Sequence, residues 1–272
     1  MSVGLERHFW LSVARGSAGA IVFCFPLLMT MEMWWLSFTI PPPRLVLLVI
    51  FTTPLLALLS YYSGFDEHHS VPEAILDAFV AWMIGLVIAF GMLALLGIIH
   101  PGLPLDEVIG KCLLQAVPAS IGAVFTGSLL GIAGSGEERK HHQGQFRELI
   151  LRSIGALLLG FTVAPTEEMV LISYRMSKFH SVGLMLLSLA IVHTFVYAAE
   201  HRSKRVSPGQ SPRWELLFRS SIPAYAVAFI VSSYILWTFG RFEGMAAAEM
   251  IQSAIVLSFP AALGAGAVRL IL

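Results

Sequence analysis

Glu167 and Glu168 stand inside an otherwise apolar stretch, in the segment Ala164-Pro165-Thr166-Glu167-Glu168-Met169. Glu32 stands in a looser copy of it, Met29-Thr30-Met31-Glu32-Met33. An ionised carboxylate at membrane depth costs at least a few kcal/mol unless it faces water, a cation or a donor. Protonation removes the same cost, so Glu32 and Glu168, if close, would share a proton or bind a cation, with Glu167 as a helper. Pro165 lacks an N–H and frees a carbonyl one turn back, and freed carbonyls lining a cavity can coordinate cations. In the first copy the proline is Pro26, one turn earlier in the aligned frame, so the kinks are not expected to match. The competing reading is structural: carboxyl groups near the outer interface, hydrogen-bonded to a neighbouring helix.

His193, Tyr197 and Glu200 follow at i, i+4 and i+7 and share one helical face. Intramembrane His and Glu can relay protons, although Glu200 and His201 fall at the expected interface, where tyrosine is also common. His193 is the deep member and the helper to weigh. Asp77 and Arg219 occupy matched positions with opposite charges, which suggests a structural salt bridge. Ala119, Gly122, Ala123 and Gly127, and later Ala261, Gly264 and Ala265, supply the small residues that let membrane helices approach closely; they read as core packing or oligomer seams. The polar runs Asp66-Glu67-His68-His69 and His141-His142 lack zinc-motif spacing, so no metal site is assigned. No nucleophile motif, P-loop or dinucleotide fingerprint is present, so no cofactor is expected and no residue cluster argues for an enzyme.

These side chains need helices that cross a membrane, and the composition supplies them. Of 272 residues, 57% are hydrophobic and 12% charged, against about 25% charged in a soluble domain; mean hydropathy is +0.78. Net charge is zero, which offers nothing to a nucleic acid. Cys24 and Cys112 lie within apolar runs, and a disulfide framework is not expected. No removable signal peptide is expected at the N-terminus. Eight spans of about the length a bilayer requires are expected near 16–38, 45–62, 72–99, 108–132, 149–174, 182–199, 215–239 and 246–271. Pro41-Pro42-Pro43 ends the first, and His100-Pro101-Gly102-Leu103-Pro104 is a tight turn.

Eight spans place both termini on one side. Twelve Lys or Arg residues fall on that side and five on the other, so the positive-inside rule puts both termini in the cytoplasm.

The chain also resembles itself. Gly19-Ala20 matches Gly155-Ala156, Phe25 matches Phe161, Thr30 matches Thr166, Glu32-Met33 matches Glu168-Met169 and Ser37 matches Ser173. Pro118-Ala119-Ser120-Ile121-Gly122-Ala123 aligns on Pro260-Ala261-Ala262-Leu263-Gly264-Ala265, and Glu73 on Glu215. Spans 2 and 6 align poorly. The expectation is an all-α polytopic membrane bundle of two parallel four-helix repeats, 15–133 and 149–272, after an N-terminal interfacial segment 1–14 and joined by a cytoplasmic linker 134–148. Parallel repeats of this kind occur in transporters, with sites near the repeat interface.

On the segments 164–169 and 260–265, the chain resembles an uncharacterised family of bacterial integral membrane proteins of about this length. The resemblance implies a multi-pass protein of the bacterial inner membrane and carries over no catalytic residue. Two functions stay open. One is a small-ion or proton-linked transporter or channel using intramembrane carboxylates, with the lipid bilayer and a small cation or proton as partners. The other is a non-transporting scaffold, sensor or partner subunit, and a homo-oligomer is compatible with either.

Overall fold

The computed structural model describes residues 2–63, 70–132, 145–203 and 213–271, with side-chain surroundings described for 10–62, 70–126, 147–199 and 214–268. All regular elements among them are helical. The chain forms two compact units, Met1–His142 and Gln143–Leu272.

In the first unit α1 (Ser2–Leu28) and α2 (Met31–Thr39) are separated by a break at Met29-Thr30, and α3 (Pro42–Ser63), α4 (Val71–Leu95) and α5 (Leu105–Ile132) follow. Prolines open α3 and stand in the first turn of α4, where a missing N–H removes no helical bond. At α4 the Glu73 carboxylate also accepts the Ser70 N–H at 3.0 Å. Gly97, at φ 72°, turns the chain out of α4.

α5 is the central helix of this unit and packs on α1, α2, α3 and α4. Ala20, Cys24 and Leu28 of α1, Ala81 and Leu93 of α4, and Cys112, Ala119 and Ala123 of α5 form one buried cluster. Small residues set the spacing: a Cβ on Gly122 would lie 2.6 Å from the Gly19 carbonyl oxygen and 2.7 Å from Phe23 Cβ. α3 is tied to α4 by Trp82 Nε1 donating to Thr53 Oγ1 at 3.1 Å and by Ser60 donating to Asp77 at 2.6 Å.

The second unit begins with α6 (Gln145–Val163) and α7 (Glu167–Arg175), separated at Ala164-Pro165-Thr166 and bent by 91°. After α8 (Lys178–Ser203) come a short α9 (Arg213–Leu216), a π turn (Leu217–Ser221), α10 (Ile222–Thr238) and α11 (Ala247–Ile271). α11 is central here and packs on α6, α7, α8 and α10. Gly155 and Gly264 meet backbone to backbone, and Gly266 lies against Phe195 of α8.

Among the described residues seven helices are long and apolar enough to cross a membrane, and the bent pair α6–α7 makes an eighth if it is one span. Two expectations need correction. The stretches 16–38 and 149–174 are not continuous helices; each stops just before its glutamate, because Thr30 and Thr166 adopt extended backbone as N-caps of a new helix. The breaks do fall at matching residues, although the prolines do not. Residues 2–14 are helical and run without interruption into the rest of α1.

Candidate functional site: the interrupted helices and the π turn

The two breaks are built alike. Thr30 Oγ1 donates back to the Leu27 carbonyl at 2.7 Å, and Thr166 Oγ1 to the Val163 carbonyl at 2.8 Å. Met33 and Met169 are buried beneath the short helices. Ser37 and Ser173 each donate to a carbonyl three residues back, of Trp34 and Val170, at 2.7 Å. Glu32 therefore lies in the first turn of α2, and Glu167 and Glu168 in the first turn of α7. The unsatisfied N–H groups of a helix N-terminus favour negative charge, so the break itself supplies part of what an isolated carboxylate needs. Glu32 is half-buried, whereas Glu167 and Glu168 are exposed on their unit.

The carbonyls at the breaks are treated differently. In the first unit Trp34 Nε1 donates to the Leu28 carbonyl at 3.1 Å. In the second the Arg241 guanidinium donates to the Pro165 carbonyl. A fixed positive charge thus stands where a cation bound by that oxygen would stand. Further bonds hold α7 against α11: Ser173 Oγ lies 2.9 Å from Ser253 Oγ, and Gln252 donates to the Met176 carbonyl.

A second polar cluster surrounds the π turn. Arg152 is 4% exposed and donates to Glu148 at 2.6 Å and to Ser220; Ser220 also donates to the same Glu148 oxygen at 3.3 Å. His193 Nδ1 lies 3.0 Å from Ser221 Oγ. A π turn adds a residue to the helical circuit and is frequent at functional sites. Here the consecutive Ser220 and Ser221 serve different helices, α6 and α8. Tyr197 is half-buried on α8, and the side chain of Glu200 lies outside the described residues. The sequence signal for Arg152 was present, as a single arginine in an apolar run, but it counted only toward orientation.

In the first unit, Glu107 and Lys111 form a buried ion pair one turn apart on α5, with the Lys111 ammonium 5.1 Å from the Phe38 ring centroid. Sequence reading also passed over this pair. Asp77 has Ser60 as a partner within its own unit, and the mostly exposed Arg219 lies 3.9 Å from Glu215 within the other. Ala119, Gly122 and Ala123 lie on buried faces of α5, and Ala261, Gly264 and Ala265 on those of α11. The side-chain surroundings of Gly127 lie outside the described residues, as do the loop runs at 66–69 and 141–142.

A family described as "Putative integral membrane protein (DUF2391)" matches residues 12–272. The chain belongs to this family. It is an integral membrane protein with several apolar membrane-spanning helices. No curated protein and no solved structure matches it.

Proposed function

We propose that this DUF2391 protein moves a small cation or proton across a membrane, with Glu32 and Glu168 at the interrupted helices as the central carboxylates. The observation that carries this reading is the recurrence of the break. Eleven residues separate Gly19 from the capping Thr30, and eleven separate Gly155 from Thr166. In both units a glutamate two residues on stands in the first turn of a short helix. Interrupted hydrophobic segments at corresponding places in two halves mark binding sites in secondary transporters. The recurrence also supports an internal duplication, with α1–α5 corresponding to α6–α8, α10 and α11. Glu167 and His193 are auxiliary groups in this scheme. The charge asymmetry of the loops supports cytoplasmic termini, and the resemblance to bacterial integral membrane proteins supports a bacterial inner membrane.

The test is flux in proteoliposomes carrying a trapped pH-sensitive dye, under gradients of protons, sodium, potassium and calcium. Wild-type flux that vanishes in a well-folded Glu32→Gln/Glu168→Gln variant supports the proposal. Absence of flux under every gradient removes it.

One observation favours the alternative of a non-transporting scaffold, sensor or partner subunit. The second break is held by Arg241, Ser253 and Gln252, as a structural joint would be. That reading expects the double variant to lose stability or assembly instead of flux.

A further inference from the structure

Gln115 is 2% exposed, and neither its amide nitrogen nor its amide oxygen has a hydrogen-bond partner among the described residues. A buried amide left in that condition loses its hydration without recompense, and such groups are usually served by ordered water or a ligand. The residue matching Gln115 in the second unit is Leu257, fully buried. An apolar side chain therefore suits that position of the fold, and the glutamine is peculiar to the first unit.

Its neighbourhood is defined by helix geometry. At 3.6 residues per turn, Gln115 shares a face of α5 with Cys112, Ala119 and Gly122. Cys112 and Ala119 belong to the cluster that includes Cys24 and Leu28 of α1, and Gly122 abuts Gly19. Gln115 thus lies in the α1–α5 seam, about 10 Å along α5 from the Gly19–Gly122 crossing. That distance brings it level with the last turn of α1, just before the break. Lys111 and Glu107 continue the same polar stripe at i−4 and i−8 toward α2, where Gly110 meets Ser37. The stripe carries equal and opposite charges and ends on a group with one donor and one acceptor face. Such a lining suits water, which needs two to four polar partners, better than a bare ion.

We infer that Gln115 marks a hydrated site in the first unit, where water enters at the α1–α2 break and reaches the α5 stripe. This deepens the transport reading and rests on it in one respect: the water gives Glu32 its aqueous access. The second unit, with leucine at the matching position and arginine on its break, stays dry there.

The test is thiol accessibility in proteoliposomes. Gln115→Cys and Leu257→Cys are each made in a Cys24→Ala/Cys112→Ala background, checked for monodispersity, and exposed to a small water-soluble methanethiosulfonate. The expected result is modification at Gln115→Cys at least about tenfold faster than at Leu257→Cys. Equal rates, or a faster Leu257→Cys, overturn the inference. If Gln115→Cys does not fold, the native thiol one turn away, Cys112 in a Cys24→Ala background, takes its place with the same two outcomes. Labelling without flux in any gradient would keep the hydrated site and remove the transport reading; flux with an unreactive position 115 would do the reverse.

Discussion

Gly155 of α6 and Gly264 of α11 cross so closely that a Cβ on either would strike the other's carbonyl oxygen, and Gly19 and Gly122 do the same in the first unit. Without a hydrophobic drive between helices in lipid, such approach is what binds them. Gly264→Ala forces backbone against backbone, and no flexible side chain can yield. Overpacking of this kind costs about 1–3 kcal/mol. Gly122→Ala should cost a similar amount, since the Gly19 carbonyl and Phe23 Cβ would both lie within 3 Å of the new methyl. Gly91, with open space around it, is the control: Gly91→Ala should leave thermal unfolding in detergent unchanged or slightly improved.

Arg241 follows the glycine turn after α10 and reaches back to the Pro165 carbonyl. Hydrogen bonds to charged groups contribute about 1.5–3 kcal/mol, so Arg241→Met should destabilise the second unit by that order. It should also increase local opening at the α6–α7 break. Hydrogen exchange checks this: the amides of Ala164 and Thr166, which bond the Gly160 and Val163 carbonyls, should exchange faster in the variant, and those around Gly155 should not. Uniform protection across both places would show that the guanidinium does not hold the break.

Much of this was legible in the sequence, for identifiable reasons. Twenty-residue apolar runs announce membrane helices because nothing else in lipid satisfies the backbone. The matches at Gly19, Thr30 and Ser37 pointed to positions that prove to share local interactions with Gly155, Thr166 and Ser173. What misled was treating Pro26 and Pro165 as the punctuation. What the two breaks share is threonine, whose hydroxyl bonds the preceding turn while its backbone leaves the helix; a proline stands in the second break alone. The π turn was invisible because its residues, Leu217 to Ser221, read as ordinary helix; the side chains its serines bond, Arg152 and His193, come from distant sequence. Gln115 was missed because one glutamine in an apolar span is unremarkable until its partners are counted.

Arg152 and Glu148 test whether the π turn is held by charge. Arg152→Met removes the guanidinium that donates to Glu148 and Ser220. Glu148 is about a third exposed, so water can answer part of that loss, and the cost should fall below the about 3–5 kcal/mol seen when a fully buried pair is broken. Arg152→Met/Glu148→Gln should be less destabilised than Arg152→Met alone, giving a coupling energy of about 0.5–3 kcal/mol in a double-mutant cycle on thermal unfolding. A purely additive pair would mean that packing of the arginine stem, and not its charge, fixes the turn.

Lys111 and Glu107 should behave more severely. Both are nearly fully buried, with the ammonium also near the face of Phe38. Lys111→Met therefore strands a nearly fully buried carboxylate, and the expected loss approaches the about 3–5 kcal/mol of a broken buried pair. Glu107→Gln/Lys111→Met removes both charges and should recover most of it, because two desolvation costs disappear along with the attraction. Phe38→Leu should cost about 0.5–2 kcal/mol through the lost ring–cation contact. Added salt separates this pair from a surface one: a Debye length near 3 Å at 1 M screens exposed charges but screens a buried pair much less. The difference in melting temperature between wild type and Lys111→Met should therefore persist from 0.1 M to 1 M sodium chloride, and a difference that collapses at high salt would place the pair at the exposed surface.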